Sequence, residues 1–214
     1  MIRAFLIFGF LASLSRAEVI DRIAVTLDNQ VITESEMLRE IRLAAFLNGD
    51  ALDFSADAKR KAADRLVEQK LIRKEIELGH YVAPAPAEVE PMLKQIQSQR
   101  FENLKAYREA VEKYGVTEDD LKSHLIWQAT LLRFIDVRFR PGIQISDSEI
   151  HQYFDKELPS LEKQAGRNRR LSLDELRDKI EETLTDERID KQMDDWLKEA
   201  RKRTRVDYRA EVFK

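Results

Sequence analysis

The sequence predicts a mainly α, multi-helix domain closed by a small antiparallel sheet, built from an N-terminal hairpin and a C-terminal strand. Three observations carry this. In four places a Ser or Thr is followed three residues later by an acid and then by an amphipathic run: Thr33 and Glu36, Thr117 and Asp120, Ser146 and Glu149, Ser172 and Glu175. Strand-like alternation lies near the two ends, at residues 22–32 and 204–213. Charged residues make up 36% of the chain, against about a quarter in ordinary domains, and both signs alternate at helical spacing.

The first residues are read apart from the domain. Met1-Ile2-Arg3 is a short basic start, an apolar stretch of 11 residues runs from Ala4 to Leu14, and small residues stand at Ser15 and Ala17. This is the plan of a secretory signal cleaved after Ala17. The stretch is shorter than the ~20 residues that a membrane span needs. Glu18 and Asp21 then end the apolar pattern. Residues 18–214 remain, with 35 basic against 40 acidic side chains, a charge of about −5. That balance argues against nucleic acid as a partner, which favours a net basic face. The local exception, Arg167-Asn168-Arg169-Arg170, reads as an exposed loop. The most apolar later segment, 125–139, is interrupted by Gln128, Arg133, Asp136 and Arg138, so no stable membrane insertion is expected after cleavage.

In chain order, residues 22–27 alternate as a half-buried strand. Asp28-Asn29 suits a tight turn, and residues 30–32 return as a second strand. Helices are expected at 34–47, 57–78, 87–99, 103–114, 118–140, 147–157 and 172–202. At each hydroxyl–acid start the hydroxyl accepts a first-turn amide, and the acid reaches back to the cap and meets the positive helix end. Gly49, Gly79 and Gly115 follow helical runs, where a left-handed residue ends a helix. Pro84, Pro86 and Pro91 mark a bend and a new start, and Pro141-Gly142 ends the long helix. That long helix is apolar over much of its circumference and should be central and covered on several sides. In the tail, Val206, Tyr208, Ala210 and Val212 share one face of a strand. A lone hairpin is marginal, so the two ends are expected to meet in one sheet.

Few residues suggest chemistry. His80, His124 and His151 have no second His at metal-ligand spacing, and there is no Cys for thiolate ligation, thiol catalysis or a disulfide. Six glycines form no phosphate loop, and no Gly-x-Ser-x-Gly elbow occurs. Acid pairs such as Asp119-Asp120 and Asp194-Asp195 read as solvated helix faces. No catalytic, cofactor or metal site is expected.

Four segments, in order, resemble the SurA-type periplasmic chaperones: the strand, turn and first helix start of residues 21–48, the helix of 63–79, the Tyr-Gly-Val-Thr-Glu start at 114–121, and the Ile-Ser-Asp-Ser-Glu-Ile segment within 140–153. The last helix, with Trp196-Leu197 followed by a strand, is similar to the family's closing helix. The resemblance covers nearly all of residues 18–214. It implies the family's N-terminal, trigger-factor-like chaperone module, divided as residues 18–157, a short link at 158–171 and a closing helix and strand at 172–214. Relatives with isomerase activity carry a parvulin domain of about a hundred residues at that link, and no such domain fits here. The resemblance therefore implies an ATP-independent periplasmic chaperone for unfolded outer-membrane or secreted proteins, without prolyl isomerase activity. Two alternatives stay open: an isomerase of the same family, and an envelope subunit with one fixed partner. A homodimer that closes a cradle is also compatible. Expected client contacts are large apolar residues near loops: Phe46, Leu47, Phe54, Phe101, Tyr107 and Phe154. Trp127 and Trp196 are expected as packing anchors.

Overall fold

The computed structural model describes residues 21–165 and 172–214, without the side chains of 160–165. The signal expected at 1–17 and the basic run at 167–170 lie outside the described residues.

Strands β1 (Ile23–Leu27) and β2 (Gln30–Thr33) form an antiparallel hairpin. Asp28 turns it at a φ of 46°, a region that Asp and Asn enter more readily than other side chains. Strand β3 (Val206–Tyr208) pairs with the other edge of β1, so the order is β2-β1-β3. Val25 lies opposite Tyr208 and Leu27 opposite Val206. The two ends of the domain meet, as the alternation predicts. The C-terminal strand is shorter than expected: Ala210–Phe213 is a 3-10 turn. That turn carries Val212 into the core, where it is 2% exposed, and Lys59 Nζ donates to its carbonyl at 3.1 Å. A continued strand has no such route inward.

Seven helices follow among the described residues: α1 (Glu34–Asn48), α2 (Ala56–Leu78), α3 (Pro86–Arg100), α4 (Leu104–Tyr114), α5 (Glu118–Arg138), α6 (Asp147–Ala165) and α7 (Leu173–Arg203). All four hydroxyl–acid pairs cap helices. Thr33, Thr117 and Ser172 form reciprocal boxes with Glu36, Asp120 and Glu175. The Ser146 amide donates to Glu149 at 2.9 Å, and the Glu149 amide returns to the Ser146 hydroxyl at 3.4 Å. Ser55 and Asn103 cap α2 and α4 without an acid partner in the motif, which hid them in the sequence. Gly49 and Gly115 end α1 and α4 at φ of 78° and 62°. Gly79 does not; it sits at −83°, and His80 takes the left-handed position at 54°.

Helix α6 runs to Ala165, beyond its expected end at residue 157, so the first half of the expected link is helical. Pro159 removes one helical donor and disfavours the residue before it. Up to that point the helix carries an apolar face: Ile150 is buried, and Tyr153, Phe154 and Leu158 are half-buried, at helical spacing.

Three buried clusters fill the interior. The first joins Ala24, Val25, Leu27 and Ile32 of the sheet to Met37 and Ile41 of α1 and to Ala62, Ala63, Val67 and Leu71 of α2. The second joins Leu43 and Phe46 of α1 to Val89 and Leu93 of α3, Tyr107 of α4, and Leu121 and Leu125 of α5. The third joins Ile72 and Ile76 of α2 to Trp127 and Phe134 of α5 and Ile189 of α7, with Trp196 packed against it. Helix α5 thus bridges two clusters, as its apolar character predicts. Its covering is less complete than expected, since Leu132 and Val137 are 61% and 63% exposed.

Candidate functional site

The six residues expected at a client surface separate into two groups. Phe46 and Tyr107 are interior, at 2% and 3% exposure, so the expectation of a surface role is corrected for both. Phe101 stacks on Phe46 with ring centroids 5.8 Å apart and meets Tyr107 edge-on at 5.5 Å. Tyr114 closes the same aromatic group, 5.8 Å from Phe46. These rings gather where α1, α3 and α4 meet because each ends or begins a helix there; loop proximity in sequence is burial in space. Leu47 is half-buried against the same cluster, and its carbonyl accepts from Arg100. Phe54 stays accessible, 40% exposed, with the Arg42 guanidinium 5.7 Å from its ring centre. Phe154 is half-buried on α6. The structure does not bring Phe54 and Phe154 into the aromatic group. Trp127 and Trp196 both lie in or against the third cluster, as anchors should.

A concavity lies elsewhere, between α1, α2 and α5, with a volume of about 400 Å³. Its apolar floor takes Leu66, packed against the first cluster, Leu43 of the second, and Trp127 of the third. The three cores therefore all reach this cleft. Its walls are charged, and each wall carboxylate has a cationic partner. Glu36 of α1 faces Lys70 of α2 at 3.5 Å, Glu40 of α1 faces Arg65 of α2 at 3.0 Å, and Asp120 of α5 faces Arg39 of α1 at 3.3 Å. These pairs tie the three helices together at the rim.

Arg73 of α2 differs from the other wall cations. Its guanidinium lies 4.1 Å from the centre of the Trp127 ring, and among the described residues it forms no salt bridge. Crowding by the protein holds its pKa below the usual arginine value, and Glu77 opposes that only in part. His124 stands one turn before Trp127 on the cleft side of α5. Burial holds its imidazole below the ordinary histidine value, with the Glu40 charge acting the other way. The cleft thus has three ion pairs at its rim, a histidine biased to its uncharged form, and Arg73 on an aromatic face with no salt bridge, its charge offset only in part by Glu77.

Among the described residues there is no group of three or more His, Asp and Glu placed to hold a metal ion. No described helix is long and apolar enough to cross a membrane. The sequence alone did not point to this cleft. Arg73 lies 54 positions before Trp127 in the sequence, and no local pattern marks one exposed helix face as opposite another. The nearest signal is the spacing of His124 and Trp127 at i and i+3, which puts a titratable group and an indole on one side of α5.

No protein-family model matches the chain, and no curated protein matches it.

Proposed function

We propose that the chain is an ATP-independent holdase of the periplasm, which keeps unfolded outer-membrane or secreted polypeptides from aggregating and has no prolyl isomerase activity. The observation that carries this reading is the order of four segments resembling SurA-type chaperones within residues 18–214, with only residues 166–172 between α6 and α7, where isomerase relatives hold a further domain. The apolar start at residues 4–14 supports export. Unfolded barrel strands aggregate through unpaired edges and apolar side chains, and a helical carrier with a charged exterior covers them while staying dispersed. Accessible apolar groups such as Phe54, Leu132 and Val137 offer weak contacts of the kind such a carrier needs.

The test dilutes a urea-unfolded outer-membrane protein into buffer and follows light scattering. The reading expects suppression at a few-fold molar excess of the chain, without nucleotide. Unchanged scattering at that excess sinks it. A protease-coupled proline peptide assay expects background rates only.

One observation favours a second reading, a subunit with one fixed partner. The large exposed apolar residues are spread over β1, β2, α2, α3, α4 and α5 rather than gathered on one element. Affinity purification from an envelope extract separates the readings: one stoichiometric companion supports the fixed partner, and many substoichiometric ones support the holdase.

A further inference from the structure

The cleft between α1, α2 and α5 has a charge pattern that selects what it holds. Three carboxylates on its walls are already matched by Lys70, Arg65 and Arg39. Arg73 is the lining cation that makes no salt bridge among the described residues, and Glu77 offsets its charge only in part. Stacking on Trp127 fixes one face of the guanidinium and leaves its N–H edges for an acceptor; a planar fork held this way suits a carboxylate, which accepts two bonds at once. Gln69 and Ser123 add neutral polar side chains on the walls. The floor under them is apolar, from Leu43 and Leu66.

We infer that this cleft seats a polypeptide segment in which an Asp or Glu side chain stands beside a large apolar one. The carboxylate meets Arg73, and the apolar neighbour rests on Leu43 and Leu66. A volume of about 400 Å³ admits a few side chains of an extended segment and not the face of a folded domain. A phosphate-bearing polymer suits the cleft poorly, because Glu36, Glu40 and Asp120 would face its multiple charges. A purely apolar segment laid over Arg73, which is exposed in the free chain, would take water from its guanidinium and offer no acceptor in return. The inference rests on the reading of the chain as a holder of polypeptides, and it assigns that holder a preference: acids flanked by apolar residues.

The test uses the full chain and two dye-labelled, end-capped nonapeptides that differ at one position, Leu-Glu-Leu against Leu-Gln-Leu in a Gly/Ser background. Fluorescence anisotropy at low salt should show the Glu peptide binding roughly tenfold tighter, the scale of one charge-assisted hydrogen-bonded pair. Arg73→Gln should remove the difference. Arg73→Lys, which keeps the charge and loses the planar stack, should keep part of it, and it serves as the variant if Arg73→Gln fails to fold. Equal binding of the two peptides, binding of neither, a preference that survives Arg73→Gln, or one that is undiminished in Arg73→Lys overturns the inference. Scattering suppression measured on the same preparation keeps the two ideas apart. Suppression without a Glu preference sinks the cleft assignment alone, and a Glu preference without suppression sinks the holding function alone.

Discussion

Helices α1 and α2 present two faces, and the molecule treats them differently. On one face Met37 and Ile41 of α1 and Ala62, Ala63 and Val67 of α2 lie against the sheet, and all are buried. The small side chains at Ala62 and Ala63, both at 0% exposure, let strand and helix approach closely. The other face carries Glu36, Arg39, Glu40 and Leu43 of α1 with Leu66, Gln69, Lys70 and Arg73 of α2. There α5 approaches but does not fill the space. The first face is closed by a tail that travels the whole chain to reach it: Arg201 and Tyr208 both donate to Asp64 of α2, and the Arg60 guanidinium lies 3.5 Å from the centre of the Tyr208 ring. Burial pushes the Asp64 carboxyl up, but the hydrogen bonds from Tyr208 and Arg201 outweigh it, so its pKa lies below the ordinary aspartate value. The difference teaches that one side of the same two helices is closed by packing while the other keeps an open, charged cleft, the side to which we assign recognition. Volume changes on the closed face are expected to cost more stability than polar substitutions on the open face that leave its rim pairs intact.

The largest expected effect tests that division directly. Met37→Ala, on the sheet side at 0% exposure, should lower stability by about 2–5 kcal/mol, through lost transfer energy and a residual cavity. Gln69→Ala, across the same helix pair, should stay within about 0.5 kcal/mol. Urea midpoints with unchanged slopes measure both, and equal costs at the two sites would break the comparison.

A smaller loss is expected at the tail. Tyr208→Phe removes the hydroxyl that donates to Asp64 and accepts from Arg201 at 2.7 Å. The loss should be about 1–3 kcal/mol, because the acceptor is charged and partly enclosed. Thermal unfolding of the variant reads it, and an unchanged midpoint would mean that the tail is held by its apolar contacts alone.

Tyr107→Phe should act in the opposite direction. The Tyr107 hydroxyl is buried with no hydrogen-bond partner among the described residues. Its removal should raise stability by about 1 kcal/mol while the aromatic group around Phe46 keeps its packing. The same variant should suppress scattering as well as the unsubstituted chain. A loss of suppression would return Tyr107 to the list of client contacts.

The smallest effect concerns the start of α6. Hydrogen bonds from the Ser146 hydroxyl and amide and from Arg188 hold the Glu149 carboxyl down to about 2, from an ordinary 4.5. The folded pKa is the depressed one, so the contribution is fully present above pH 4.5 and is lost as pH falls toward 2. Amide exchange at Ile150 should quicken across that window, and Glu149→Gln should flatten the dependence. Exchange that is flat in the unsubstituted chain would show that α6 is held by its apolar face and not by its cap.

Much of the architecture could be read from the sequence because it depends on neighbours in the chain. A hydroxyl and an acid three residues apart form a cap wherever a helix begins, and all four did. Gly49 and Gly115 end helices because a left-handed backbone needs no partner elsewhere. Alternation near both ends, and the marginal stability of a lone hairpin, were enough to predict that β1 and β3 would meet. Where local rules failed, a distant contact had decided. The tail left its strand after Tyr208 so that Val212 could enter the first cluster. Helix α6 ran on past Pro159 to Ala165, beyond the end expected at residue 157. Phe46 and Tyr107, next to loops in the sequence, became interior because α1, α3 and α4 converge on them. The cleft was not legible in the sequence, since what distinguishes Arg73 from its many cationic neighbours is the ring it rests on and the salt bridge it lacks. Sequence sets which faces of each helix are apolar or charged; only packing decides which charged face finds partners and which is left open.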